Sequence, residues 1–412
     1  MVAKTRIIID TDPDGDDLIA MLLGLAASQD DLEILLISVV FGNVPVEKTL
    51  RNAVAMFHVL NLEMKFREDK GLPLGFEGFR THKPIVAVGA AHGLDEDILT
   101  RPGGGFHGPD GWPNLTPEDA WKSLYEDENP NPEKEQEKPD WHRHFTPSKA
   151  PAHREILQIL REEPHNTVTI CAVGPLTNIA LAASEDPETF LRAKEVVIMG
   201  GAVNVPGNMT PVAEFNTWAD AAATAQVFAL SSSVPSSTMP GSLPPYPETL
   251  SRQLKITLFP LDVTSHNVLD YKLFSETIKH LVESGSPLAI LVDTFLGGVY
   301  RKLKTQFGEA SEPSMSLHDP LTVWYVLARD NPAWHFVEGE DIRVETSGGL
   351  TRGMLVADSR GRTKADGVVA DEVVGDDIGW LSAVRGNRIN RATGSPGAKL
   401  FTTLLMREIF SL

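Results

Sequence analysis

The chain has a single cysteine, Cys171, so it can form no internal disulfide. This cysteine lies in the apolar run TVTICAVG, which indicates a buried strand residue rather than a nucleophile, and its isolation fits a reducing compartment. No stretch approaches the roughly 20 consecutive apolar residues of a membrane-spanning helix. The first residues also lack the apolar segment of a secretory signal peptide. These absences predict a cytoplasmic protein with no membrane partner.

Positive charge is scarce as well. The 412 residues include 37 Lys and Arg against 56 Asp and Glu, which gives a formal net charge of −19. Because a negative surface repels phosphate groups, this balance argues against nucleic acid and anionic membranes as partners. A negative surface does suit a cation, or a neutral substrate held beside one.

Short apolar runs alternate with helical patterns along the chain. TRIIID, LEILLISVVFGN, PIVAVGA, TVTICAVG and EVVIMGG resemble buried strands, and LIAMLLGLAAS, REILQILREE and LTNIALAAS have helical spacing. This alternation predicts an α/β fold whose open, mostly parallel sheet is flanked by helices and binds ligands beyond the strand ends. Near the end, DIRVETSGGLTRGMLVADSRG predicts a small β-hairpin around a Gly-Gly turn, and AKLFTTLLMREIFSL predicts an amphipathic helix.

Two segments interrupt the alternation. Residues at about 113–151 are rich in Pro, Glu, Lys and Asn and have no periodicity, which predicts a mobile surface insertion. Residues 231–248 are rich in Ser and Pro and predict a second insertion. Both lie inside the α/β pattern rather than between two patterns. Residues 1–412 are therefore predicted to form a single domain with two insertions.

Five aspartates follow the first apolar run within eight residues: Asp10, Asp12, Asp14, Asp16 and Asp17. Carboxylates this close repel one another unless a cation or a helix N-terminus compensates. One or two of them could be a helix cap with solvated acids, but five after a strand favour a hard-cation site. Ligation by oxygen alone indicates Ca²⁺ or Mg²⁺ rather than zinc.

The acidic cluster by itself is compatible with more than one family. An EF-hand loop is rejected because Met21 stands where a bidentate Glu is needed and the preceding segment resembles a strand. A haloacid-dehalogenase-type phosphatase also has Asp-x-Asp after its first strand, and Gly375-Asp376-Asp377 could imitate its late acidic motif. The phosphatase motif has Thr or Val at the position where this chain has Asp14. On the N-terminal motif alone the phosphatase is a credible alternative.

Several segments resemble the inosine-uridine-preferring nucleoside hydrolases, in the order that family has. IIIDTDPDGDDLIAMLL resembles the signature DTDPGxDD, and further matches are FGNVPVEKTLRNA, FHGPDG, AVGPLTNIALA, VVIMGGAVNVPGNMTPVAEFNTWAD and LHDPL. The resemblance spans roughly residues 5–330, except for the two insertions. EFN and HDP are weak family signals when taken alone. Six motifs in the family's order are a specific signal, and a phosphatase would not require them.

The resemblance implies calcium-dependent hydrolysis of the N-glycosidic bond of ribonucleosides, giving ribose and free base. Calcium would be bound by Asp12, Asp17, Asp319 and the backbone carbonyl of Val173. Asp12 would also accept the proton of the attacking, metal-bound water, and Asp10 would support these ligands from behind. A homodimer or a homotetramer is a further expectation from the family.

The resemblance also implies a substrate site. The residues expected to hold the ribose hydroxyls are Asp16, Asn208, Glu214 and Asn216, with Met199 packing on the sugar and Asn43 orienting a ligand or the sugar. His107 and His318 would lie near the base, where a histidine can stack on it or protonate the leaving group. Carboxylates around the sugar suit a transition state that resembles an oxocarbenium ion.

The chain departs from the family at the acidic motif. Asp-Pro-Asp stands where the family has Asp-Pro-Gly, and the glycine is displaced to Gly15. Either Asp14 adopts the backbone conformation of the family glycine or Gly15 takes over the turn. The metal ligands keep their spacing, so calcium binding is expected to survive. This departure and the insertions leave open a non-catalytic nucleoside- or ribose-binding protein.

Overall fold

The computed structural model describes residues 4–13, 15–94, 125, 140–308, 315–364, 376 and 378–412. The described strands are β1 Thr5–Thr11, β2 Leu32–Val39, β3 Ile85–Val88, β4 Thr146–Ser148, β5 Val168–Ala172, β6 Glu195–Met199, β7 Ile256–Phe259, β8 Val268–Leu269, β9 Met315–Ser316, β10 His335–Glu340, β11 Ile342–Val344, β12 Leu355–Ala357 and β13 Ile389–Gly394. Nine of these form one sheet in the order β10-β13-β7-β6-β5-β1-β2-β3-β4. Only β10 runs antiparallel to its neighbour in that sheet, within the described residues.

Helices cover both faces of the sheet. They are α1 Asp17–Ala26, α2 Val46–Lys70, α3 Glu77–Thr81, α4 Ala152–Glu162, α5 Thr177–Glu185, α6 Pro187–Phe190, α7 Phe215–Ala219, α8 Ala221–Ala229, α9 Leu261–Thr264, α10 Tyr271–Glu283, α11 Pro287–Phe307, α12 Pro320–Leu327 and α13 Ala398–Phe410. None of the described helices is both long and apolar enough to cross a membrane. The predicted α/β fold with an open, mostly parallel sheet is confirmed.

The central strand β1 separates two cores. Ile7 and Ile9 are fully buried in one apolar cluster, whereas Ile8 is fully buried in the cluster on the opposite face. Successive side chains of a strand point to opposite faces, so a strand covered by helices on both sides must be apolar at every position. This is why TRIIID is a continuous apolar run rather than an alternating one.

The strand order reverses beside β1. The chain runs from β1 outward through β2, β3 and β4, and then returns to β5, on the other side of β1, before continuing outward through β6 and β7. In an open α/β sheet such a reversal leaves a crevice beyond the carboxyl ends of the two strands, where ligands bind. The crevice beyond β1 and β5 is therefore the expected position of a site.

The segment predicted as an insertion at about 113–151 differs from the structure at its carboxyl end. Phe145 is fully buried, with its ring centroid 4.8 Å from that of Phe57, and β4 pairs in parallel with β3. The prediction missed this edge strand because a single aromatic residue among polar neighbours gives no strand pattern. In the other predicted insertion, Ser231 and Ser232 are buried.

The predicted hairpin is confirmed by the antiparallel pairing of β11 with β12. Its connection is longer than predicted, since residues 345–354 join the two strands rather than a Gly-Gly turn alone. The predicted C-terminal amphipathic helix is confirmed as α13.

A buried ion pair in α2 ties distant parts of the chain together. Arg67 Nε donates to Glu63 Oε1 at 2.8 Å, and both residues are at most 3% exposed. The guanidinium also donates to the carbonyls of Leu74 and Ile409, at 2.9 and 2.8 Å. Glu63 accepts the hydroxyl of Ser286, the N-cap of α11, at 2.7 Å. Both charges are therefore matched by polar partners, as buried charges must be.

We predict that Arg67→Met lowers the free energy of unfolding by about 3–5 kcal/mol, because it leaves Glu63 buried without its counter-charge. Urea titration of the purified protein measures the loss. Arg154→Met is the control, since Arg154 pairs with Glu185 at an exposed surface and should cost less than about 1 kcal/mol. The double variant Glu63→Gln/Arg67→Met should recover part of the loss. Equal costs for Arg67→Met and Arg154→Met would contradict the prediction.

Candidate active site

Asp12 lies at the switch point in a space that two glycines leave open. It follows β1, is 1% exposed, and its Oδ2 accepts the backbone N–H of Asn43 at 3.0 Å. A Cβ on Gly42, just beyond β2, would lie 1.7 Å from Asp12 Oδ2. A Cβ on Gly174, just beyond β5, would lie 2.7 Å from Asp12 Oδ1. The carboxylate can occupy this position only because both neighbours lack side chains.

The other acidic residues gather around the start of α1. Asp17 is 2% exposed, and its Oδ1 accepts the Thr11 hydroxyl and, at 3.2 Å, the Asp12 backbone N–H. Asp16 Oδ2 accepts the backbone N–H groups of His318 and, at 3.1 Å, Asp319. The His-Asp-Pro segment is therefore docked on the first acidic loop, although about 300 residues separate the two in sequence.

The pKa values show that these carboxyl groups interact. Burial raises the pKa of Asp17 to about 7, and the charge of Asp16 adds to this rise, while the Thr11 hydrogen bond opposes it. Burial raises the pKa of Asp319 well above its usual range, and the negative charges of Asp16, Asp17 and Asp12 raise it further. Asp12, Asp16 and Asp17 thus lie close enough to Asp319 to disfavour its ionisation.

These residues fit a hard cation by their chemistry. Their donors are carboxylate oxygens, which Ca²⁺ and Mg²⁺ prefer, and the repulsion that raises the Asp319 pKa is the kind that a bound cation relieves. Within the described residues, no three His, Cys, Asp or Glu side chains are already arranged to hold a metal. Instead, the backbone N–H of Asp319 donates to Asp16 Oδ2. A cation bound here would replace the protons that such closely spaced carboxyl groups otherwise need.

Asp10 lies one layer deeper and depends on a residue that the sequence did not single out. Asp10 is fully buried, and its Oδ1 accepts the Ser38 hydroxyl and the Asn178 side-chain amide, the latter at 2.9 Å. Asn178 also donates to the Val39 carbonyl at 3.3 Å and accepts the Ala90 N–H at 2.8 Å. Its position in the GPLTN motif was a signal that could have marked it. Asp10 Oδ2 has no hydrogen-bond partner among the described residues.

Glu214 and Asn216 connect the ends of β5 and β6. Glu214 is the N-cap of α7, and its carboxylate accepts the N–H groups of Asn216 and Gly201, both at 2.8 Å. The Asn216 amide donates to the carbonyls of Val173, at 2.8 Å, and Met199, at 3.4 Å. The Val173 carbonyl keeps a second lone pair for another partner. Burial raises the pKa of Glu214.

The hairpin β11–β12 packs against this region. Leu355 is 1% exposed, and a Cβ on Gly201 would lie 2.0 Å from its Cδ1, so this position requires glycine. Gly201 also has a positive φ of 79°, which favours glycine independently. A β-bridge joins Ala213 to Met354. The predicted hairpin thus supports the Met-Gly-Gly turn and the loop before Glu214.

The remaining predicted site residues have different surroundings. Asn208 is exposed, and its Oδ1 accepts the Phe215 N–H at 2.9 Å. His318 is partly buried, with Nδ1 2.8 Å from the hydroxyl of Thr264, a residue that no sequence motif marked. His107 and Asp14 lie outside the described residues. Most of the predicted side chains are therefore brought together at the carboxyl ends of β1, β2, β5 and β6.

Asp376, which could have imitated a phosphatase motif, stabilises a local turn. It is 1% exposed, and its carboxylate accepts the backbone N–H groups of Trp380 and Leu381 at 2.7 and 3.0 Å. Both oxygens are therefore taken up in closing a local turn.

Comparison with known sequences decides the family. The family model "Inosine-uridine preferring nucleoside hydrolase" matches residues 7–377. The chain belongs to this family. The predicted enzyme class, a hydrolase acting on N-glycosyl bonds, is confirmed with it, and the phosphatase alternative is rejected.

Relatives of this nucleoside hydrolase cover most of its length. An uncharacterized protein of Schizosaccharomyces pombe is 31% identical over 86% of this chain and 89% of its own. The pyrimidine-specific ribonucleoside hydrolase RihA of Salmonella newport is 29% identical over 85% of this chain and 88% of its own. The solved structure of an inosine-guanosine nucleoside hydrolase matches with a TM-score of 0.66 and 22% identity, covering 99% of each chain. This last match supports the fold.

We predict that Asp10→Asn stabilises the metal-free protein increasingly as the pH rises. Burial raises the pKa of Asp10 from 3.8 to about 7, so the folded state binds this proton more tightly than the unfolded state. Wild-type stability should therefore fall as the pH rises between about 4 and 7, and asparagine removes this contribution. Melting temperatures in chelator at pH 5 and pH 8 test this. An advantage of the variant that is the same at both pH values would contradict the prediction.

Proposed function

We propose that this nucleoside hydrolase cleaves the N-glycosidic bond of ribonucleosides in a calcium-dependent reaction, releasing ribose and free base. The observation that carries the proposal is the convergence of Asp319 with Asp12, Asp16 and Asp17 at the switch point, where burial raises the Asp319 pKa and the charges of the other three raise it further. Family membership supplies the reaction class. The named activities of relatives differ in base, so the proposal leaves the base unspecified.

The residues that would hold calcium are Asp12, Asp17, Asp319 and the carbonyl of Val173, with Asp10 behind them. Calcium is preferred over zinc because all of these donors are oxygens. When bound, the ion polarises water and can chelate vicinal ribose hydroxyls. The buried contacts of Asp12 and Asp17 support the proposal, because ligands held by hydrogen bonds lose little freedom when an ion binds.

The protein groups would move two protons. As the water oxygen bonds to the anomeric carbon, Asp12 accepts a proton from the water. The C–N bond breaks with its electron pair going to the base nitrogen, and His318 delivers a proton to the departing base. The products are ribose and neutral base, so atoms and charge balance. The surrounding carboxylates stabilise the positive charge that develops on the sugar ring.

The ribose would be held by residues from three segments. Asp16 and Asn43 approach from the ends of β1 and β2, and Met199 offers an apolar surface at the end of β6. Glu214 and Asn216 would contact the hydroxyls, and Asn208 would join them from the exposed loop. Their existing hydrogen bonds support this part of the proposal, since hydroxyl recognition needs oriented donors and acceptors.

Base release from a panel of purine and pyrimidine ribonucleosides tests the function. We expect release with calcium and none with chelator, and Asp12→Asn should lower kcat by about 10²–10⁴-fold, the usual contribution of general acid–base catalysis. Asp186→Asn is the matched control, because Asp186 caps α6 on the surface and asparagine caps equally well. No release by a protein that still binds calcium and ribose would support the non-catalytic binding protein instead.

We predict that Gly42→Ala lowers calcium affinity and kcat, each by about 10–100-fold, because a Cβ would lie 1.7 Å from Asp12 Oδ2 and displace that carboxylate. Calorimetric titration with calcium measures the affinity separately from turnover. Gly241→Ala is the control, since a Cβ there has no described heavy atom within 4 Å. Unchanged calcium affinity in Gly42→Ala would show that this glycine is not needed to place Asp12.

A further inference from the structure

Thr264 lies against the histidine that the proposed mechanism uses. The Thr264 hydroxyl is 2.8 Å from His318 Nδ1, and Thr264 is fully buried at the end of α9. Because α9 directly follows β7, the position of this hydroxyl is set by the sheet rather than by a surface loop. The contact joins two residues 54 positions apart.

The backbone of His318 is fixed by other groups. Its N–H donates to Asp16, and the preceding residue, Leu317, exchanges two hydrogen bonds with Asn267, at 3.0 and 2.9 Å. Fixing the backbone leaves rotation about the side-chain bonds as the remaining freedom of the ring. The hydrogen bond between the Thr264 hydroxyl and Nδ1 restricts this rotation.

We propose that Thr264 is a positioning residue that holds Nδ1 of the His318 imidazole and thereby directs Nε2 toward the base of the substrate. This inference rests on the proposed function, in which His318 supplies a proton to the departing base. The hydrogen bond at one ring nitrogen determines which nitrogen carries the proton. The acidic form of the ring is the imidazolium, in which Nδ1–H donates to the Thr264 hydroxyl oxygen. The Nε2 proton is then the one that passes to the leaving group, and a neutral imidazole remains.

The same short helix also contacts the sugar side of the site. Leu261 N–H donates to the Gly201 carbonyl at 2.9 Å, and the Asp262 carboxylate accepts the N–H groups of Val203 and Asn204, both at 2.9 Å. Gly201, Val203 and Asn204 follow Met199, which is expected to pack on the sugar. Helix α9 therefore gives the base side and the sugar side of the site a common support.

Two substrates separate positioning of the proton donor from general damage. A nucleoside base leaves poorly without a proton, whereas the nitrophenolate of p-nitrophenyl β-D-riboside leaves as a stable anion. Thr264→Val, which replaces the hydroxyl with a methyl group, should lower kcat on a nucleoside by about 10–100-fold, part of the usual contribution of acid catalysis. Its KM, and its kcat on the nitrophenyl riboside, should change by less than about threefold.

Two further variants complete the experiment. Thr264→Ser keeps the hydroxyl and should retain at least about a third of the nucleoside kcat. Thr169→Val is the matched control, because Thr169 is fully buried in β5 and its hydroxyl has no hydrogen-bond partner among the described residues. It should behave as wild type on both substrates. Melting curves confirm that each variant is folded.

The proposal is overturned if folded Thr264→Val keeps the nucleoside kcat, or loses activity equally on both substrates. A wild-type protein that releases no base would instead refute the proposed function. In that case the ¹⁵N resonances of the His318 ring, assigned with the His318→Gln variant, test whether Thr264 forms a hydrogen bond with this ring. Different resonances in wild type and Thr264→Val would support the hydrogen bond, and identical resonances would overturn it.

Discussion

The main electrostatic constraint on this structure is the mutual repulsion of the carboxyl groups that lie beyond the carboxyl ends of β1 and β5. Asp12, Asp17 and Asp319 are at most 5% exposed. Burial raises the pKa of Asp319 well above its usual range, and the neighbouring negative charges raise it further. Local contacts offset part of this cost, including the Thr11 hydroxyl and the Asn43 N–H. In the proposed function calcium offsets the remainder, so the charges that weaken the metal-free fold are those that bind the ion.

The sheet explains why residues from distant segments meet at this point. Parallel strands end at one edge, so the loops after β1, β2, β5 and β6 share a single crevice. Glycines at positions 42, 174 and 201 let these loops approach closely, because a Cβ at any of them would collide with a neighbouring side chain. Hydrogen bonds from Glu214 and Asn216 then join the loops. Close packing of the backbone thus brings the side chains of the proposed site together.

The sequence predicted the fold well where the pattern was local. Continuous apolar runs marked β1, β2 and β5, because strands covered on both faces must be apolar throughout. It failed for β4, whose three residues give no apolar run and whose buried aromatic neighbour, Phe145, lies just before the strand. In the site, the N-terminal aspartates were visible as a cluster, whereas Asp319 came only from family resemblance. Thr264 could not be predicted, since its role depends on a hydrogen bond across 54 residues.

The contact between Asp16 and the backbone of Asp319 also constrains how the protein is made. Residues from the first twentieth of the chain cannot complete their hydrogen bonds until residue 319 has left the ribosome. Until then, Asp16 lacks the two backbone donors that it has in the folded protein. In the proposed function, the calcium ligand Asp319 therefore joins the acidic loop only after about three-quarters of the chain has been made.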